Sequence, residues 1–209
     1  MQTAKNLIRP ELQGAIDRAC KRDLAPERKA GLQPLIDYIQ DKVDKGAVAH
    51  LNFICTHNSR RSQLSQVWAQ TAAHYFGVPA KCYSGGVEVT AFNQRAVASL
   101  KRSGFRVVSE GEGNPKYAVY FSENLPPIRA FSKLYDDPEN AAPGFAAVMT
   151  CSEADENCPF IPGSEMRIPV RYEDPKVFDG TSREAFGYDE RSGQIASEMF
   201  YVFSQIKTN

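Results

Sequence analysis

The sequence predicts an α/β fold built on a parallel sheet, and three observations carry that expectation. Short β-prone runs alternate with amphipathic helical stretches from residue 47 onward, as crossover-connected parallel strands require. The apolar runs Val48–Ile54 and Phe145–Thr150 are short and nearly unbroken, as strands covered on both faces read. Cys55, Cys151 and Asp174 each fall just after a predicted strand, where open parallel sheets gather their ligand-binding groups.

In chain order, two helices come first, over residues 9–24 and 27–45. Leu12, Ala15, Ile16 and Ala19 recur at helical spacing after Pro10, a residue suited to a first helical position. Leu32, Leu35, Ile36 and Ile39 share a face of the second, Val43 continues it and Gly46 ends it. Pro34 should restart that helix rather than lie inside it. A strand over 48–54 leads through a polar, turn-like segment (55–62) into a helix over 63–76 bearing Leu64, Val67, Trp68, Ala72 and Tyr75. Pro79 to Tyr83 reads as the next strand, Ser84-Gly85-Gly86 as a turn, and 91–103 as a helix closed by Gly104. Residues 105–140 are β-like, with Val107-Val108, 117–121 and 128–135 separated by Gly-Glu-Gly-Asn-Pro and Leu-Pro-Pro. Strands over 145–150 and 167–172 follow. A helix over 181–206 ends the sequence, capped by Thr181 or Ser182 with Glu184 nearby.

Composition narrows the function. The 209 residues carry 25 basic and 25 acidic side chains, so no strongly basic nucleic-acid binder is expected. No apolar run approaches the roughly 20 residues that span a bilayer. The N-terminus lacks an apolar signal core, and the expected location is the cytoplasm. Five cysteines, an odd number in that setting, argue against a structural disulfide framework. The histidines His50, His57 and His74 are scattered and no Cys-x-x-Cys occurs, so no metal site is expected.

The segment Cys55-Thr56-His57-Asn58-Ser59-Arg60-Arg61-Ser62 carries the chemistry. A loop from a strand into a helix turns successive N–H groups into one concavity, and the helix N-terminus adds positive potential. Arg61 brings a planar bidentate donor to a tetrahedral oxyanion. The same field favours Cys55 as a thiolate nucleophile, and Ser62 can donate to its sulfur. Asn58 can brace the loop and tolerates a left-handed backbone. Cys-x5-Arg alone would arise by chance in roughly a quarter of such chains, whereas Cys-x2-Asn-x2-Arg-Ser would do so in about one in a thousand.

This loop resembles the phosphate loop of the low-molecular-weight protein tyrosine phosphatase superfamily, and is most similar to that of its thioredoxin-coupled arsenate reductases. The resemblance implies a four-stranded parallel sheet flanked by helices over 46–209. Residues 1–45 would then be a helical extension, and about 105–140 an insertion. It implies that Thr56, His57, Asn58, Ser59, Arg60 and Arg61 bind the oxyanion and that Asp174, in Asp174-Pro175, is the general acid. Asp137-Pro138 precedes the Cys151 strand and so stands in the wrong order. The stretch Cys151-Ser152-Glu153-Ala154-Asp155-Glu156-Asn157-Cys158-Pro159 resembles the reductases' redox segment. By that likeness Cys151 attacks Cys55, Cys158 then attacks Cys151, and thioredoxin, an external partner, removes the final disulfide. No tightly bound cofactor is implied. Gln66 stands where a carboxylate assists the cation site of potassium-binding members, which argues against potassium dependence.

Two alternatives remain at this point. One is a phosphomonoesterase using Cys55, Arg61 and Asp174 through a phosphocysteine. The other is an oxyanion-binding or redox-sensing module without turnover. Arg60, where the phosphatases commonly carry a second cysteine, and Lys176-Val177, where they carry tyrosines, weaken the phosphotyrosine reading. Cys20 and Cys82 are expected to be structural, and Trp68, Phe200, Tyr201 and Phe203 to be core.

Overall fold

The computed structural model describes residues 7–140, 143–157 and 160–208. Four strands, β1 (Ala49–Cys55), β2 (Ala80–Gly86), β6 (Phe145–Met149) and β7 (Ser164–Pro169), form a sheet in the order β2-β1-β6-β7. All three pairings are parallel. Leu51 to Ile54 run beside Ala146 to Met149, which brings the segments after Cys55 and Met149 to one carboxyl edge. Strand β1 is buried at every position except His50, consistent with its continuous apolar reading.

Helix α3 (Arg61–Phe76) leaves the β1 loop directly, and α4 (Gln94–Ser103) follows β2. Asn93 caps α4 by accepting the Arg95 N–H, and Gly104 closes it in the left-handed region at φ 111°. The last helix, α6 (Glu184–Ser204), packs on α3 and α4. Trp68, Phe200 and Phe203 are buried in the core between them, and the Trp68 indole N–H donates to Ser192 Oγ at 2.9 Å.

The N-terminal helices α1 (Pro10–Lys21) and α2 (Pro26–Asp44) extend this core. Leu12, Ile16, Leu32, Leu35 and Ile39 are wholly buried in the same apolar cluster as Leu51, Trp68 and Phe200. Arg28 of α2 reaches Glu198 of α6 at 2.6 Å, a pair whose carboxylate is buried. Pro34 lies inside α2 and does not restart it. The buried row Leu32, Leu35, Ile36 and Ile39 on either side holds the helix through the missing N–H.

A separate antiparallel sheet is formed by β3 (Arg106–Glu110), β4 (Lys116–Tyr120) and β5 (Ile128–Ala130). Three further expectations are corrected. Ser84-Gly85-Gly86 is the end of β2, not a turn, because a Cβ on Gly85 would come within 2.2 Å of Tyr135 Cα and only glycine admits that neighbour. The predicted strand at 167–172 is regular β7 only to Pro169, although the Val170 and Tyr172 N–H groups still bond to Met149 and Thr150. Nor do Thr181 and Ser182 cap α6. Its first turn starts at Glu184, whose carboxylate accepts the Gly180 N–H at 2.7 Å. Among the described residues no helix is long and apolar enough to cross a membrane.

Candidate active site

The loop between β1 and α3 is held from outside by its own carbonyls. Thr56 O accepts from Val87 and Glu88, and Asn93 N–H reaches Ser59 O. His57 O accepts from the hydroxyls of Thr90 and Ser132, and Asn58 O from the Gln63 amide. Successive loop carbonyls are thus bonded to the surrounding chain, which fixes the backbone of the loop around Cys55. Gly86 makes the tight wrap possible, since a Cβ there would lie 2.8 Å from both Asn58 N and Thr56 O. Reading Gly85-Gly86 as a turn hid this role, although paired glycines at a strand end do signal close backbone approach.

Asn58 has φ 45°, the one non-glycine residue with positive φ among the described residues. Its side chain is buried, accepts from Gln63 Nε2 and Lys133 N, and donates to Ser62 Oγ at 2.9 Å. Three bonds thus offset the strain of the left-handed backbone. Asn58 donates to the Ser62 oxygen, which lies 3.0 Å from Cys55 Sγ, so the Ser62 hydroxyl proton is free to serve a thiolate there. Cys55 is buried at the floor of a cleft lined also by His57, Ser59, Arg60, Arg61 and Asp174.

Arg61 opens α3. It donates to Tyr172 O at 3.2 Å and to Asp174 Oδ2 at 2.8 Å, so the two charged groups of the cleft restrain each other. The other oxygen of Asp174 accepts the Lys176 N–H at 3.0 Å and caps a short 3-10 turn, Pro175–Phe178. Asp137 instead caps its own turn by accepting from Glu139 N. On the opposite rim His57 Nε2 stands 3.3 Å from Glu88.

Cys151 is fully buried beyond the end of β6, in the same small apolar cluster as Cys55. Its sulfur accepts the Ala154 N–H at 3.4 Å, at the start of α5 (Ser152–Asn157). Thr56 Oγ1 lies 3.6 Å from that sulfur and donates to Glu153 at 3.1 Å. The hydroxyl of Thr56 therefore links the Cys55 loop to Cys151 and does not line the cleft. Asn58 too is structural in its side chain. Asp155, buried in α5, is gripped by Arg167 and by Arg171, whose Nε donates at 2.6 Å. Cys158 lies outside the described residues.

Cys82 is buried, and burial pushes its thiol pKa up, which makes it a poor nucleophile. Cys20 is exposed on α1. Gln66 is engaged by Arg129 O and by the Ser84 hydroxyl. Among the described residues no cluster of His, Cys, Asp or Glu is arranged to hold a metal ion.

No protein-family model matches the chain. Among curated proteins, arsenate reductase 2 of Staphylococcus haemolyticus is 29% identical over 156 residues, 75% of this chain and 88% of that protein. The arsenate reductase of Bacillus subtilis is 26% identical over 139 residues, 66% of this chain and 83% of that protein. Among solved structures, a thioredoxin-dependent arsenate reductase of Corynebacterium glutamicum shares 20% identity at a TM-score of 0.41, covering 93% of this chain and 83% of that one. A low-molecular-weight protein tyrosine phosphatase from T. tengcongensis shares 15% identity at a TM-score of 0.47, covering 76% and 99%.

Proposed function

We propose that this chain, similar to bacterial arsenate reductases at 26% and 29% identity, reduces arsenate to arsenite through a thiol cascade. The observation that carries the reading is the Thr56 hydroxyl, which joins the loop of Cys55 to Cys151. A phosphatase needs only the first of these thiols.

Arsenate enters the nest, and Arg61 turns from Asp174 to its oxygens. The Cys55 thiolate, favoured by the Ser62 hydroxyl, attacks arsenic while Asp174 gives its proton to the departing oxygen, which leaves as water. The product is a Cys55 thioester of arsenic(V). Cys151, deprotonated, then attacks Cys55 Sγ. The sulfur–arsenic bond breaks with its electron pair going to arsenic, which leaves as arsenite, and a Cys55–Cys151 disulfide remains. Attack by the Cys158 thiolate on Cys151 frees Cys55 and passes the disulfide to the Cys151–Cys158 pair. A thioredoxin-type dithiol reduces that pair, which suits a reducing, cytoplasmic setting. Six residues separate these cysteines, so α5 must loosen for them to bond.

The phosphomonoesterase reading draws on the same Cys55, Arg61 and Asp174, with water in place of Cys151. The deciding experiment follows NADPH consumption with arsenate, thioredoxin and its reductase in wild type and Cys158→Ser. Multiple turnovers in the wild type and at most one in the variant support the cascade. No arsenate-dependent NADPH consumption, together with phosphate release from an aryl phosphate, would instead favour the esterase.

A further inference from the structure

Two successive arginines close the nest, and Arg60 is fixed in a way that Arg61 is not. Its Nε donates to Tyr188 Oη at 2.8 Å, and its Nη2 stands 3.5 Å from Asp179 Oδ2. Tyr188 donates in turn to Asp179 Oδ1 at 2.7 Å. Tyr188 is wholly buried, and burial with the neighbouring Asp179 pushes its phenol pKa up to about 12, so it stays a donor across the working range of pH. Arg95 steadies Asp179 from the far side at 3.8 Å and is itself held by Glu184 at 2.7 Å. These contacts engage Nε and Nη2, and the same Nε lies 3.9 Å from Asp174 Oδ1, so the guanidinium lines the cleft beside that carboxylate.

The geometry points to Arg60 as a specificity-determining residue that selects a free tetrahedral oxyanion over its organic esters, with Tyr188 and Asp179 as the positioning pair behind it. This rests on reading the cleft as an oxyanion site. Arg61 is held through Asp174, a group of the cleft itself, before substrate arrives. Arg60 is the preset one, beside the general acid, where the oxygen that will leave must sit. A hydroxyl or oxide there accepts a hydrogen bond from a guanidinium. An ester oxygen is a weaker acceptor and carries a bulky substituent toward the same group. Apart from Cys55, the lining side chains His57, Ser59, Arg60, Arg61 and Asp174 are polar, and none supplies an apolar wall for an aryl group. The choice is therefore made by charge and by what the leaving oxygen carries.

Protection of Cys55 from iodoacetamide, read by mass spectrometry of its peptide, gives affinities for inorganic phosphate and for phenyl phosphate without requiring turnover. In the wild type phosphate should protect at lower concentration than phenyl phosphate. Arg60→Ala should weaken phosphate about tenfold, the loss expected for one charge-assisted bond, while phenyl phosphate changes less than threefold or gains. Tyr188→Phe keeps the ring in the core and should show the same selective loss at smaller size. Arg60→Lys, with charge but no fork, should fall between wild type and Arg60→Ala. Equal losses for both ligands, or no loss for either, would overturn the assignment. Should the wild type fail to reduce arsenate while the selective loss appears, the reductase reading falls and the role of Arg60 stands.

Discussion

Ser62 Oγ stands 3.0 Å from Cys55 Sγ and accepts from Asn58 on its other side, so its proton is available to a thiolate at that sulfur. Ser62→Ala should slow alkylation of Cys55 about tenfold near neutral pH and lower kcat/KM for arsenate by a similar factor. The check is the rate of iodoacetamide labelling at Cys55 in the two proteins, read by mass spectrometry. Equal rates would show that the nest alone sets its reactivity.

Gly86 is a second control on the loop. A Cβ there would meet Glu88 O at 2.6 Å and the Asn58 N and Thr56 O atoms at 2.8 Å, all of them backbone. Gly86→Ala must therefore move the loop, since none of those atoms belongs to a flexible side chain. A loss of activity of at least tenfold, with about 1–3 kcal/mol of destabilisation in urea unfolding, is expected. Full activity would mean that the loop carbonyls can shift without disturbing the nest.

These two contacts mark where sequence reading reached its limit. The strand ends bearing Cys55 and Cys151 were legible, because short apolar runs and the residue types after them are local signals. Asp174 was legible through its proline partner and its place after Tyr172, even though β7 itself stops at Pro169. The outward carbonyl bonds from Val87, Thr90, Asn93 and Ser132 were not, since backbone pairing across 30 to 75 residues leaves no pattern in side-chain type. Pro34 misled for a related reason: local propensity argued for a break, and burial on both sides of it prevailed. The support of Arg60 by Tyr188 joins residues 128 apart, and a lone tyrosine on a helix face reads simply as core.

Lys133 ties stability to pH. Its backbone N–H holds Asn58, while its side chain is 4% exposed and lies over the Phe131 ring, 4.6 Å from the centroid. Burial pushes its amine from 10.5 down to about 8. Between those values the folded protein has released a proton that the unfolded chain still binds, so this group makes stability rise with pH across that window. Below pH 8 both states are charged, and the buried charge costs on the order of 3 kcal/mol. Lys133→Met keeps the backbone bond and removes the charge. It should raise stability at pH 7 and flatten the rise between pH 8 and 10, as followed by urea unfolding at several pH values. A slope identical to that of the wild type would assign the rise to other groups.

Asp174 can act in two ways, and one substitution separates them. Its carboxylate caps the turn through Lys176 N, restrains Arg61 at 2.8 Å and lines the cleft beside Cys55. Asn at this position can still accept from Lys176 N but carries no transferable proton and no charge. If the acid role dominates, Asp174→Asn should lower the rate of arsenate-dependent turnover about 100-fold or more. Phosphate protection of Cys55 should then stay constant or improve, because Arg61 is no longer shared with a carboxylate. If Asp174 serves only to position Arg61, protection should weaken along with turnover. Aryl phosphates sharpen the distinction: with an acid missing, phenyl phosphate, whose leaving group needs the proton, should suffer more than 4-nitrophenyl phosphate. A merely misplaced arginine would slow both esters alike, since each presents the same oxyanion to the nest.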